Sequence, residues 1–113
     1  MTRRPDGIRG TTITGTGMYV PDRVLSNADL EQLVDTSDEW IVERTGIRER
    51  RIVAPDQASS DLATIACRRA LAMAEVEPQD VDQLVVATTT PDRILPSCAC
   101  TVQQQLGATS AAA

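Results

Sequence analysis

Histidine and phenylalanine are both missing from these 113 residues, the aromatic side chains are one tryptophan and one tyrosine, and there are only three cysteines. With no phenylalanine, any core must be aliphatic and rich in alanine, although 42% hydrophobic residues suffice to build one. Three cysteines do not make a disulfide framework, which points to a reducing cytoplasmic compartment. Cys98 and Cys100 form a CxC pair, but at helical spacing they point to different sides, and no histidine or second cysteine pair exists to complete a metal site. They read as small helix residues packing on a neighbour, and Cys67 as a small residue beside a core stripe. Basic residues are outnumbered sixteen to eleven, for a net charge of −5, which argues against a nucleic-acid surface spread over the chain. Long apolar runs are absent too. Arg3 and Arg4 lead into Pro5, Asp6 and Gly7 where an export signal needs an apolar stretch, and nothing later is long enough to span a bilayer.

What is present reads as one α/β domain's worth of chain at most. Residues 1–7 are polar and broken by Pro5 and Gly7, predicting a loose tail before the first strand. Threonine, isoleucine, glycine and valine from Ile8 to Val20 predict that strand, with a turn at Pro21-Asp22. Gly15 and Gly17 lack the third glycine and following helix of a dinucleotide fingerprint, so they read as close packing of a strand on its neighbour. Ser26 with Asp29 opens a capped helical segment to about Val34, with Leu30, Leu33 and Val34 on one face. Ile47 to Val53 alternates apolar with charged residues, as a solvent-exposed strand does, and ends at Pro55. Ser59, Ser60 and Asp61 cap the longest helix, where Leu62, Ile65, Ala66, Ala70, Met73 and Ala74 recur at intervals of three and four. After Pro78, a helical turn leads into Leu84 to Ala87 and three threonines, the clearest strand, with an apolar centre that predicts burial on both faces. Helix then strand is half of a parallel crossover unit, which directs attention to the loop at the strand's C-terminal edge, Thr90 to Pro96. Ser97 caps a last helix through Leu106, ended by Gly107, and Ala108 to Ala113 begins a further element.

The most informative stretch is Asp35 to Arg51, DTSDEWIVERTGIRERR, which holds the only tryptophan. Thr36 with Glu39 reads as a capping box, Asp38 and Glu39 complement the helix dipole, and Gly46 supplies the stop. Trp40 and Arg44 stand four residues apart on one helix face. A flat heterocycle stacked between two planar groups needs a gap of roughly 7 Å, which an indole and a guanidinium so placed can open. The pair could clamp an adenine. By spacing alone, an ordinary surface cation–π pair, or a tryptophan anchored in the core, fits better. Arg48, Arg50 and Arg51 read as solvated strand charges, or as a basic patch facing an acidic partner.

The run TGTGMYVPDRVLSNADLEQLVDTSDEWIVERTGIRERRIVAP, the VVATTTPD segment and LPSCACTVQQQLG, in this order, resemble the N-terminal part of a 3-oxoacyl-acyl-carrier-protein synthase III. The resemblance covers nearly the whole chain, and the DTSDEWIVERTGIRER block is specific to this group. It implies a partial thiolase-like fold over residues 8–113, part of an αβαβα half, within a homodimer. It also implies a condensation of an acyl-CoA primer with malonyl-acyl-carrier protein, with no cofactor beyond the acyl-CoA substrate. In that reaction a cysteine takes the acyl group from CoA; histidine and asparagine then assist loss of carbon dioxide from the malonyl unit, whose carbanion attacks the thioester. None of these three residues is assigned here. The family's cysteine follows the stretch matching Thr109 to Ala113, so Cys98 and Cys100 are not the nucleophile, and the chain alone is expected to be inactive. Trp40 and Arg44 match the residues that hold the adenine of CoA, and Thr36 a threonine lining the same mouth, which turns the odds toward the clamp. Leu95 matches a loop residue that reaches into the partner subunit's acyl pocket, often as a larger aromatic, and a leucine leaves room for primers bulkier than acetyl. The competing expectations are a non-catalytic CoA-binding or dimerisation module, or part of a related thiolase-fold synthase.

Overall fold

The computed structural model describes residues 10–113. The expected tail over 1–7 and the first two residues of the expected first strand, Ile8 and Arg9, lie outside the described residues. Element order is β1 (Arg23–Ser26), α1 (Asn27–Glu31), α2 (Asp38–Thr45), β2 (Glu49–Ile52), α3 (Ser59–Ala74), a 3-10 turn (Pro78–Asp80) and α4 (Cys98–Leu106).

Residues 23–52 form one local unit. β1 and β2 pair antiparallel, with Arg23 opposite Ile52 and Ser26 opposite Glu49, and the two short helices lie in the connection between them. The Ser26 capping box forms as expected: its hydroxyl accepts from the Asp29 N–H at 3.2 Å, and its own N–H donates to the Asp29 carboxylate at 2.8 Å. The helix it opens is shorter than its spacing predicts, ending at Glu31 and leaving Leu33 and Val34 exposed. A strand at Arg23–Ser26 was not anticipated, because four residues ending in a helix cap show no alternation to read.

The second unit is built on α3 and α4, which pack side by side. Val102 on α4 is fully buried, with Cys98, Ala108 and Ala111 nearby in sequence also in the core. Polar ties reinforce this packing. Gln105 donates to the Asp61 carboxylate at 2.9 Å and accepts from the Thr64 hydroxyl, while Arg68 donates to the Gln105 carbonyl at 2.8 Å. The cap of α3 differs from expectation: Ala58 is the capping position, the Asp61 carboxylate accepts its N–H at 2.8 Å, and the Ser60 N–H is taken by Asp92 from a distant loop at 2.9 Å.

Two expected strands do not form. Over residues 10–22 the chain has no strand pairing. Instead it runs antiparallel along α3, and a Cβ at Gly15 would meet the Ala70 carbonyl at 2.3 Å, one at Gly17 the Ala66 carbonyl at 2.1 Å. The two glycines do serve close packing, but on a helix. Ala66, Ala70 and Ala74 supply the matching small face, and Arg69 donates to the Met18 carbonyl at 2.7 Å. On the same helix Met73 is exposed rather than buried. Leu84–Ala87 is likewise unpaired apart from its start, where Gln83 bridges Ala112 in parallel, and Leu84 donates to the Ala112 carbonyl at 2.8 Å. Val85 is 79% exposed, so burial on both faces is not observed. A strand conformation is held by neighbours, and among the described residues only Ala112 provides one. The helix-then-strand half of a crossover unit read from the sequence therefore lacks its strand, and what remains is one isolated parallel bridge from Gln83 to Ala112, with α4 in the chain between its two sides.

Candidate functional site

Of the candidate site residues, α2 carries Trp40 and Arg44, and its ends are fixed locally. Ser37, not Thr36, is the capping residue: its hydroxyl accepts the Trp40 N–H at 3.2 Å. With two hydroxyl residues in succession, helix register decides which one reaches the third N–H. Gly46 adopts a left-handed conformation at φ 69° and returns its N–H to the Val42 carbonyl at 2.8 Å, the predicted stop. Only Ile41 of the helix is buried, so one aliphatic side chain seats α2 while the opposite face stays open.

Trp40 stands on that open face, 53% exposed, which excludes a role as core anchor. Arg44, one turn on, places its guanidinium carbon 4.7 Å from the centroid of the indole ring. The two planes are therefore in direct cation–π contact, closer than the roughly 7 Å that a third flat group between them requires. Beside the indole, Val34, Asp35, Thr36, Ser37 and Trp40 line a groove of about 540 Å³. Trp40, Arg44 and Thr36 thus lie together, with Trp40 shared by the stack and the groove.

One side chain that sequence reading passed over holds this helix in place. Asn27, 2% exposed, donates through its amide nitrogen to the Asp38 carboxylate at 2.6 Å and to the Ile47 carbonyl at 2.9 Å, and its amide oxygen accepts from the Arg50 guanidinium. Asp38 opens α2 and Ile47 follows its end. Glu31 adds a second tie, accepting the Asp38 N–H at 2.6 Å. These partners lie 11, 20 and 23 residues from Asn27, beyond any local pattern. The same contacts reinterpret the basic cluster: Arg50 turns inward to Asn27, and Arg51 pairs with Glu49 at 2.9 Å. Two of its three charges are engaged within the chain.

Leu95 belongs to the other unit, on the loop from Thr90 to Pro96, and is 82% exposed beside an equally exposed Ile94. That loop is tied to the start of α3: the Ser59 hydroxyl donates to the Thr90 carbonyl at 2.6 Å, and Asp92 accepts from Ser60. Hydrogen bonds from Ser60 hold the Asp92 carboxyl below its ordinary range. Cys98, at 4.0 Å from the same carboxylate, is pushed the opposite way by burial and by that negative charge, and burial also raises Cys67. Both thiols stay protonated near neutral pH, and neither is an activated nucleophile. No cluster of metal-ligating side chains occurs among the described residues, and no described helix is long and apolar enough to cross a membrane.

No protein-family model matches the chain. Among curated proteins, the beta-ketoacyl-[acyl-carrier-protein] synthase III of Caldanaerobacter subterraneus subsp. tengcongensis is 60% identical over 101 residues, which are 89% of this chain and 30% of that protein. The crystal structure of 3-oxoacyl-[acyl-carrier-protein] synthase III from Aquifex aeolicus VF5 superposes with a TM-score of 0.84 at 50% identity, covering 90% of this chain and 33% of the other. The priming beta-ketosynthase of the R1128 polyketide biosynthetic pathway superposes with a TM-score of 0.83 at 39% identity, covering 88% and 30%. The chain thus spans about a third of the length of the proteins it matches.

Proposed function

Because the chain belongs, over the stretch it spans, to the beta-ketoacyl-[acyl-carrier-protein] synthase III family and shares part of its thiolase-like fold, we propose that its role is to hold the CoA end of an acyl-CoA primer. The observation that carries this reading is the half-exposed Trp40 with Arg44 stacked on it at the lip of a groove. An adenine enters by displacing the guanidinium from the indole face, so that Trp40 and Arg44 come to lie on its two sides. Thr36, free of the capping duty that Ser37 performs, lines the groove alongside. The ring faces supply stacking and the guanidinium adds charge for the phosphates of the nucleotide.

The whole protein then uses the primer in a decarboxylative condensation with malonyl-acyl-carrier protein, in the cytoplasm. None of that reaction's cysteine, histidine and asparagine is assigned to this chain: it has no histidine, and burial raises the Cys67 and Cys98 thiols. On this reading the chain alone turns over no primer. Calorimetric titration with CoA tests the binding role: the wild-type chain gives a saturable heat, and Trp40→Ala and Arg44→Ala each weaken it about tenfold, the size of one stacking contact of 1–2 kcal/mol. Equal affinity in Trp40→Ala would remove the clamp.

The exposure of Ile94 and Leu95 favours a second role in the same protein. Two large aliphatic side chains on a loop anchored at both Thr90 and Asp92 present a fixed apolar point to another subunit. In a homodimer Leu95 reaches the partner's acyl pocket and, being smaller than an aromatic, admits branched short acyl groups. An intact enzyme that turned over acetyl-CoA far better than isobutyryl-CoA would contradict this selectivity.

A further inference from the structure

Resting on the CoA-holding reading above, we infer that Asn27 is the positioning residue of the site: its single buried amide fixes both ends of α2 and thereby sets how Trp40 and Arg44 are presented to the nucleotide. Asn27 donates to Asp38 at the first residue of α2 and to the Ile47 carbonyl just past its last turn, and accepts from Arg50 on β2. Its own N–H donates to the Arg48 carbonyl at 3.2 Å. The helix between these ties has one buried residue, Ile41, so apolar packing alone leaves it free to roll about its axis. A roll would carry Trp40 and Arg44 with it, since both lie within the eight residues that the two ties bracket.

Only a primary amide fits this role. Both N–H groups are donors to acceptors in different segments while the oxygen accepts from a cation, so alanine removes all three bonds, and an ionised aspartate would set a second carboxylate against Asp38. Asn27 itself is 2% exposed and Asp38 and Arg50 are half-buried, so the carboxylate, carbonyl and guanidinium left behind each lose a hydrogen-bond partner in part-buried surroundings.

The test uses the intact chain with Asn27→Ala, Asp38→Ala, Trp40→Ala and the Asn27→Ala/Trp40→Ala pair, and two readouts. The first is affinity for CoA against pantetheine, which lacks the adenine. In Asn27→Ala, CoA affinity falls about tenfold while pantetheine affinity is unchanged, and the pair binds CoA no worse than Trp40→Ala alone, the non-additivity expected of residues acting through one contact. The second readout needs no ligand: fluorescence anisotropy of Trp40, the sole tryptophan, falls in Asn27→Ala as the indole gains freedom. Asp38→Ala removes one tie and leaves the others, so it shows both effects at smaller size and answers the question if Asn27→Ala does not fold. A folded variant with unchanged anisotropy, or losses from Asn27→Ala and Trp40→Ala that simply add, would overturn the assignment. Should the wild-type chain fail to bind CoA, the CoA-holding reading falls, while the anisotropy still decides whether Asn27 orders the indole.

Discussion

The unit at residues 23–52 and the unit built on α3 and α4 solve the same problem in opposite ways. In the second, Val102 and Ala108 at and just after α4 are completely buried, α3 contributes the buried Ser60 and Thr64, and polar ties such as Gln105 to Asp61 join the two helices. In the first, Ile41 is the one buried aliphatic side chain, and the order comes from a buried amide, two caps and a four-residue ladder. An apolar core tolerates small shifts among its neighbours, whereas a hydrogen-bonded hub specifies direction. The face proposed to receive a nucleotide, with an indole and a guanidinium held against each other, lies on the unit ordered by the hub.

This contrast predicts a graded set of effects. Val102→Asp places an unpaired charge in the α3–α4 interior and should destabilise by more than about 4 kcal/mol, read as loss of cooperative unfolding by circular dichroism. Gly17→Ala comes next. Its new methyl would meet backbone rather than a movable side chain, so lifting the segment off α3 should cost about 2 kcal/mol in urea titration. Ser37→Ala removes a cap from α2 and should cost about 1 kcal/mol, with a measurable weakening of CoA binding that an equal loss elsewhere does not produce. If Ser37→Ala and Gly17→Ala weakened CoA binding alike, the separation of the two units would be refuted.

The smallest effect is a pH dependence. Asp92 has a carboxyl lowered from 3.8 by its bonds to Ser60. A carboxylate depressed in the folded state adds stability above its unfolded value, and that stability is lost as pH falls through the lower folded value. Asp29, lowered by Ser26, behaves in the same direction in the other unit. Below about pH 4, therefore, both caps weaken. Asp92→Asn should remove the part belonging to the loop at α3, and Asp29→Asn the part belonging to α1, each read as a flatter stability profile in acid.

Helix ends were legible in the sequence where the signal is local. Ser26 with Asp29, Ser97, Gly46 and Gly107 act over three or four residues and stand where spacing puts them. The choice between Thr36 and Ser37 went the other way, because adjacent hydroxyls differ only in helix register. Strands were less legible. The Leu84 run has the right composition but a partner only at Ala112, and the segment around Gly15 and Gly17 finds a helix in place of a sheet. β2 was visible through its alternation, while its partner β1 was not. As for the site, Trp40 and Arg44 at four-residue spacing were readable, and the stack confirms their shared face. Asn27 and Asp92 were not, since each acts on residues far along the chain, and an asparagine behind a cap or an aspartate behind a proline looks like ordinary loop chemistry.

Whether the Trp40–Arg44 face receives a nucleotide is reported directly by Trp40, the only tryptophan. Titrating the folded chain with CoA while following indole emission should give a saturable change as the adenine replaces the guanidinium on the ring, with no such change on addition of pantetheine. Emission that stays constant through millimolar CoA would contradict the central claim.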